Sequence, residues 1–114
     1  MAAQTIYQGD LYELPYTIKL NGTAQDISTW TGSEISYRVG IDGNEAMIEY
    51  TIGSGITLTD GANGIITVTL AAADTGALAP GTYSHELKIA KSGTATRTLF
   101  RDPFRVLNAL HTED

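Results

Sequence analysis

The chain has 114 residues, enough for one domain with a proper core and too short for two. Hydrophobic residues make up 42% and charged residues 18%, a globular composition that excludes a disordered or fibrous chain. Seven Lys plus Arg against thirteen Asp plus Glu leave a net charge of −6, which disfavours phosphate backbones and anionic membranes, and the absence of cysteine excludes disulfides, thiolate metal sites and a cysteine nucleophile.

Met1 to Tyr7 lacks both a basic and an apolar region of the kind a signal peptide needs. No apolar run approaches the roughly 20 residues that span a bilayer. The expected address is the cytoplasm, or wherever a larger assembly carries the chain.

Tyr7 to Leu20 reads as the first strands, with Tyr12, Leu14, Tyr16, Ile18 and Leu20 on one face. Pro15 cannot donate to a ladder, so it belongs at an edge or a bulge. Asn21-Gly22 is a turn dipeptide. The irregular crossing Ala24 to Gly32 follows, in which Ile27 and Trp30 are expected to plug one end of a sandwich. Ser33 to Ile41 alternates Ile35, Tyr37, Val39 and Ile41 against Glu34, Ser36 and Arg38. Asp42-Gly43-Asn44 then turns the chain into Glu45 to Ile52, forming a hairpin.

Gly53-Ser54-Gly55 breaks that strand, and Ile56 to Thr59 leads through the turn Asp60 to Gly64 into the clearest alternation of the chain. There Ile66, Val68 and Leu70 face inward and Ile65, Thr67 and Thr69 outward. Ala72-Ala73-Asp74-Thr75 is one helical turn, and Pro80-Gly81 is a corner. Tyr83, His85, Leu87 and Ile89 then face inward against Ser84, Glu86 and Lys88. The last strand, Ala95 to Leu107, carries Pro103, where a bulge is expected to turn Phe104 and Val106 inward. Whether Leu99 or Phe100 faces the core is left open by the pattern.

These elements predict an all-β fold. It is an immunoglobulin-like antiparallel β-sandwich of about eight or nine short strands, with one helical turn at the corner between the strands termed E and F. The chain 1–114 is a single domain whose ordered core spans about residues 5–107, with a frayed polar tail at 108–114.

Few residues suggest chemistry. Tyr83, after Pro80-Gly81, fits the tyrosine that folds back onto an upstream carbonyl in Greek-key sandwiches. Asp74, Pro80, Gly81 and Tyr83 together form the expected structural corner. His85 is expected to be a neutral core histidine, and with His111 in the tail it makes no metal-ligand spacing. Asp42 to Glu45 and Asp60 to Gly64 offer oxygens for calcium, yet they match turn chemistry better than any calcium loop. The acids Glu13, Glu34, Glu45, Glu49 and Glu86 lie on outward positions or turns, with no converging pair for glycoside chemistry. Nucleophile elbow and phosphate loop are both absent, so the chain reads as no enzyme and needs no cofactor. Trp30, with six tyrosines in the chain, is the candidate ligand contact of an alternative reading, a carbohydrate- or host-surface-binding sandwich.

The run Gly55 to Asp60, Gly64 to Leu70, Ala72 to Thr75 and Leu78 to Tyr83 resembles immunoglobulin-like structural modules of tailed-phage virions, including the N-terminal domain of upper-baseplate proteins. Gln8-Gly9-Asp10, Leu20-Asn21-Gly22-Thr23, Ile27-Ser28, Thr98 to Arg101 and Phe104 to Leu107 extend the likeness across most of the chain. Ala71 departs from it, because such modules often carry Thr or Ser there to cap the helical turn. The resemblance implies a non-enzymatic virion component of the tail, baseplate, connector or capsid surface. Its implied partners are other virion structural proteins and further copies of itself, without nucleic acid or membrane. Contact is expected at the edges near Pro15 and along the last strand.

Overall fold

The computed structural model describes residues 3–41, 46–91 and 95–108. In chain order the strands are β1 (Gln4–Tyr7), β2 (Tyr12–Thr17), β3 (Lys19–Leu20), β4 (Thr23–Ala24), β5 (Gly32–Gly40), β6 (Ala46–Ile52), β7 (Gly55–Asp60), β8 (Ile65–Leu70), β9 (Gly81–Lys91) and β10 (Ala95–Leu107). Among the described residues the one α-helix, α1 (Ala72–Gly76), is one turn long, and a 3-10 turn occupies Gly61–Asn63. The protein is therefore all-β.

Eight strands form one hydrogen-bonded sheet in the order β1-β10-β9-β5-β6-β7-β8-β2, while β3 and β4 pair separately. Strands β9, β5, β6, β7 and β8 lie between β10 and β2 in that order. Even so, the Tyr16 ring of β2 sits 5.1 Å from the Phe100 ring of β10. The sheet curls until its two ends face each other, and the core fills the space enclosed.

Alternation builds this core. Along β8, Ile66, Val68 and Leu70 are buried while their neighbours are half-exposed, and along β9 the buried set is Tyr83, His85, Leu87 and Ile89. Period two places every second side chain on one face. Apolar burial of this kind contributes roughly 25 cal/mol per Å² and dominates the stability of such a domain. At the end of the molecule away from α1, Ile27 and Trp30 close the core, 0% and 6% exposed. Gly64 holds the crossing in place. It sits at φ +77°, and a Cβ there would lie 2.7 Å from the Gln25 carbonyl oxygen and 2.9 Å from that of Ile18.

Several details differ from the sequence reading. Two strand pairs are parallel, β1 with β10 and β6 with β7, so the sheet is mixed. The bulge of the last strand lies at Leu99, where the register slips between Thr98 and Phe100; Pro103 stays in register opposite Ser84. Pro103 needs no bulge, because a proline on the side of a strand away from its partner costs no ladder bond. The slip leaves both Leu99 and Phe100 half-buried against the core. Ile41 is 50% exposed, because β5 ends at Gly40 and the alternation stops with it. The hairpin turn 42–45, the tail 109–114 and His111 lie outside the described residues.

Candidate functional site

The polar centre of the core is a tyrosine–histidine cluster. Tyr37 lies on β5 and His85 on the neighbouring β9, both 0% exposed, and the Tyr37 hydroxyl is 2.7 Å from His85 Nδ1. Aromatic rings surround them. Tyr50, Tyr37 and Tyr16 stack at centroid separations of 6.4 and 6.3 Å, and His85 lies 5.0 Å from Phe100 and 5.3 Å from Phe104. Asp102 stands opposite His85 in the strand register. Burial pushes the Tyr37 hydroxyl far above its ordinary range, with Tyr16 and Tyr50 adding to the effect. Tyr16 is pushed up to about 12 by burial and then by the Asp102 carboxylate. A phenol held so firmly in its neutral form is a poor acid or base near neutrality.

A second polar group fastens the end of the sheet that carries α1. Tyr50 donates from its hydroxyl to Asp74 Oδ2 at 2.5 Å and accepts from the Ala71 backbone N–H at 3.3 Å. Its own titration is pushed up to about 12, by burial first and then by the bond to Asp74. Ala71 gives the helical turn no side-chain cap, and the Tyr50 hydroxyl takes up its backbone N–H instead. Thr75 is buried and donates to the Asp10 carbonyl at 2.7 Å, and Gln8 Nε2 donates to the Leu78 carbonyl at 2.8 Å. Tyr83 donates from its hydroxyl to the Ala79 carbonyl at 2.6 Å, four residues upstream across Pro80 and Gly81. Asp74 and Tyr83 are thus both engaged at this corner, while Pro80 and Gly81 are exposed.

The remaining candidates do not converge. Trp30, the proposed sugar platform, is 6% exposed and has Lys91 Nζ 6.0 Å from its ring centroid. Stacking on a sugar needs an open ring face, so Trp30 is a core plug with no platform to offer. Of the tyrosines, Tyr7 alone is among the exposed large hydrophobic residues, at 49%. Glu34 pairs with Lys91, Glu49 with Arg38 and Glu86 with Arg101, each on a strand surface. Arg38 stands between Glu49 and Glu86 in the strand register, so a cation separates those two acids. Glu34 titrates below its ordinary value because the Thr31 backbone N–H and Lys91 donate to it. At Asp60 to Gly64, Asn63 donates to Asp60 Oδ2 at 2.9 Å and Gly64 takes the left-handed conformation, which is turn chemistry. The other calcium candidate, 42–45, lies outside the described residues. Among the described residues no three His, Asp or Glu side chains could hold a metal ion, and no helix is long and apolar enough to cross a membrane.

Concavity occurs at the seam where the curled sheet brings β2 and β10 together. A cleft of about 200 Å³ is lined by Tyr16, Thr17, Lys19, Leu87, Leu99 and Phe100. The bulge at Leu99 shapes it by placing two consecutive large side chains on the inner side of β10. The sequence pattern could not reveal this cleft, because it shows no sign of which non-neighbouring strands approach.

No protein-family model matches the sequence, and no curated protein matches it. Among solved structures, an internalin-like protein of Listeria monocytogenes is similar at 17% identity and a TM-score of 0.45, over 92% of this chain and 27% of that one. Extracellular domains 3–5 of Drosophila OTK are similar at 16% identity and a TM-score of 0.40, over 97% of this chain and 34% of that one. The chain thus spans about a third or less of the length of either.

Proposed function

We propose that this chain is a non-enzymatic assembly module of a tailed-phage virion, an immunoglobulin-like sandwich that works through contacts between subunits. The strand order supports the sandwich reading. On that reading β2, β8 and β7 make the layer B-E-D and β6, β5, β9 and β10 the layer C′-C-F-G, with β1 beside the last and the short pairing of β6 with β7 joining the two layers into the one curled sheet. The tyrosine bond from Tyr83 to Ala79 at the corner between β8 and β9 is a feature of the same fold. The longest run that carries the phage resemblance, Gly55 to Tyr83, falls on β7, β8, α1 and the start of β9, and its further stretches lie before β2, around β3 and β4, and on β10.

One observation carries the non-enzymatic part. Among the described residues no buried side-chain nitrogen or oxygen lacks a hydrogen-bond partner. His85, Tyr37, Tyr50, Asp74 and Thr75 are all spent on holding strands and corner together. A catalytic centre keeps groups aimed at substrate, and the cleft presents only Tyr16, Thr17 and Lys19 as polar liners. The test is quantitative mass spectrometry of purified particles of the phage encoding the chain. Several copies per particle are expected, and particles free of the chain would overturn the reading.

A further inference from the structure

We propose that the seam cleft receives Leu11 of a second copy of this chain, so that copies join head to tail; this rests on the assembly reading above and names its contact. The cleft has an apolar floor of Leu87, Leu99 and Phe100, a wall formed by Tyr16, and Lys19 among its liners. An apolar cavity of roughly 150 Å³ already admits a benzene ring, so about 200 Å³ takes one large side chain. The strands beside it refuse a whole strand. Edge strand β2 carries Pro15, and β10, unpaired by β1 before Phe104, carries the bulge at Leu99 and then Pro103. Prolines and bulges on edges oppose strand addition. What fits is a side chain with an acidic neighbour to meet Lys19.

The chain itself displays such a pair. Leu11 is 59% exposed, more than any other large hydrophobic residue among those described, and Asp10 precedes it. The turn that carries them is fixed by Thr75 Oγ1 donating to the Asp10 carbonyl and by Gln8 Nε2 donating to the Leu78 carbonyl. The knob is therefore held ready, and its docking costs little ordering entropy. Knob and cleft lie at opposite ends of β2, so the contact is heterologous and leaves each copy with a free knob or a free cleft. Such contacts close into rings or run on as filaments. The chain carries a net charge of −6, and the Asp10–Lys19 contact places opposite charges where two acidic copies meet.

Sedimentation velocity over a concentration series tests this on the intact chain. The wild type is expected to grow in mass with concentration. Leu11→Ala and Lys19→Glu should each weaken association about tenfold or more, and Asp10→Lys combined with Lys19→Glu should restore it. Unchanged thermal midpoints would show that the variants fold. A wild type that stays monomeric at its highest soluble concentration overturns the proposal, as does association indifferent to Leu11→Ala and Lys19→Glu. Particles that contain the chain and incorporate Leu11→Ala normally would overturn the knob and leave the virion reading standing.

Discussion

Replacing Tyr37 with phenylalanine removes one oxygen from the centre of the core and leaves the ring in place. That oxygen sits 2.7 Å from His85 Nδ1, and neither residue has any exposure to water. The imidazole nitrogen would lose its partner at a place water does not reach, which costs about 1–3 kcal/mol. The stack with Tyr16 and Tyr50 is retained, so no cavity larger than a hydroxyl opens. A loss of about 2 kcal/mol is expected, lowering the thermal midpoint of a domain this size by about 8 °C. Urea unfolding should show a reduced midpoint at unchanged slope. Combining Tyr37→Phe with His85→Phe should show a coupling of about 1–2 kcal/mol, because both substitutions remove the same bond. A Tyr37→Phe variant within about 0.5 kcal/mol of the wild type, with no coupling, would refute the buried pair.

Tyr83→Phe removes the 2.6 Å bond to the Ala79 carbonyl and should cost about 1 kcal/mol in urea unfolding, a smaller loss than at Tyr37 because the corner is partly open to water. Gly55→Ala should cost more, about 2–3 kcal/mol by the same measurement. Gly55 sits at φ +102° and its new Cβ would fall 2.4 Å from Tyr50 Cδ1, so strain and clash act together. Alkali should unfold the protein through its tyrosines. Below about pH 10 both states keep their phenolic protons, and stability is flat. Above it the unfolded chain loses them, while Tyr16 and Tyr50 hold theirs up to about 12, so stability falls as pH rises through that window. Tyr16→Phe should flatten the decline, measured as urea midpoints across the alkaline range.

Much of the fold is visible in local pattern. Ile66, Val68 and Leu70 on β8, and Tyr83 to Ile89 on β9, alternate so regularly that their burial follows from period two alone. The bulge of β10 leaves no such local mark. Leu99 and Phe100 are adjacent and both apolar, which hides the slip in register, while Pro103 draws attention to a site the strand passes without distortion. Ile41 continues the alternation of β5 in sequence yet lies past its last residue, where nothing remains to cover it. Trp30 admits two readings from sequence, a plug or a platform, and at 6% exposure its ring offers no open face for stacking. The pair Tyr37–His85 joins residues 48 positions apart, and the parallel pairing of β1 with β10 joins the two ends of the chain. Such long-range partners are fixed by how the sheet curls, and no local period encodes that.

Whether this domain is a repeated building part of a virion is tested most directly by a cryo-electron reconstruction of the phage particle. The expected result is a β-rich density of this length, 45 Å in its longest dimension, repeated about a symmetry axis and touching its neighbours. A particle whose symmetric density is fully explained by other chains would contradict it.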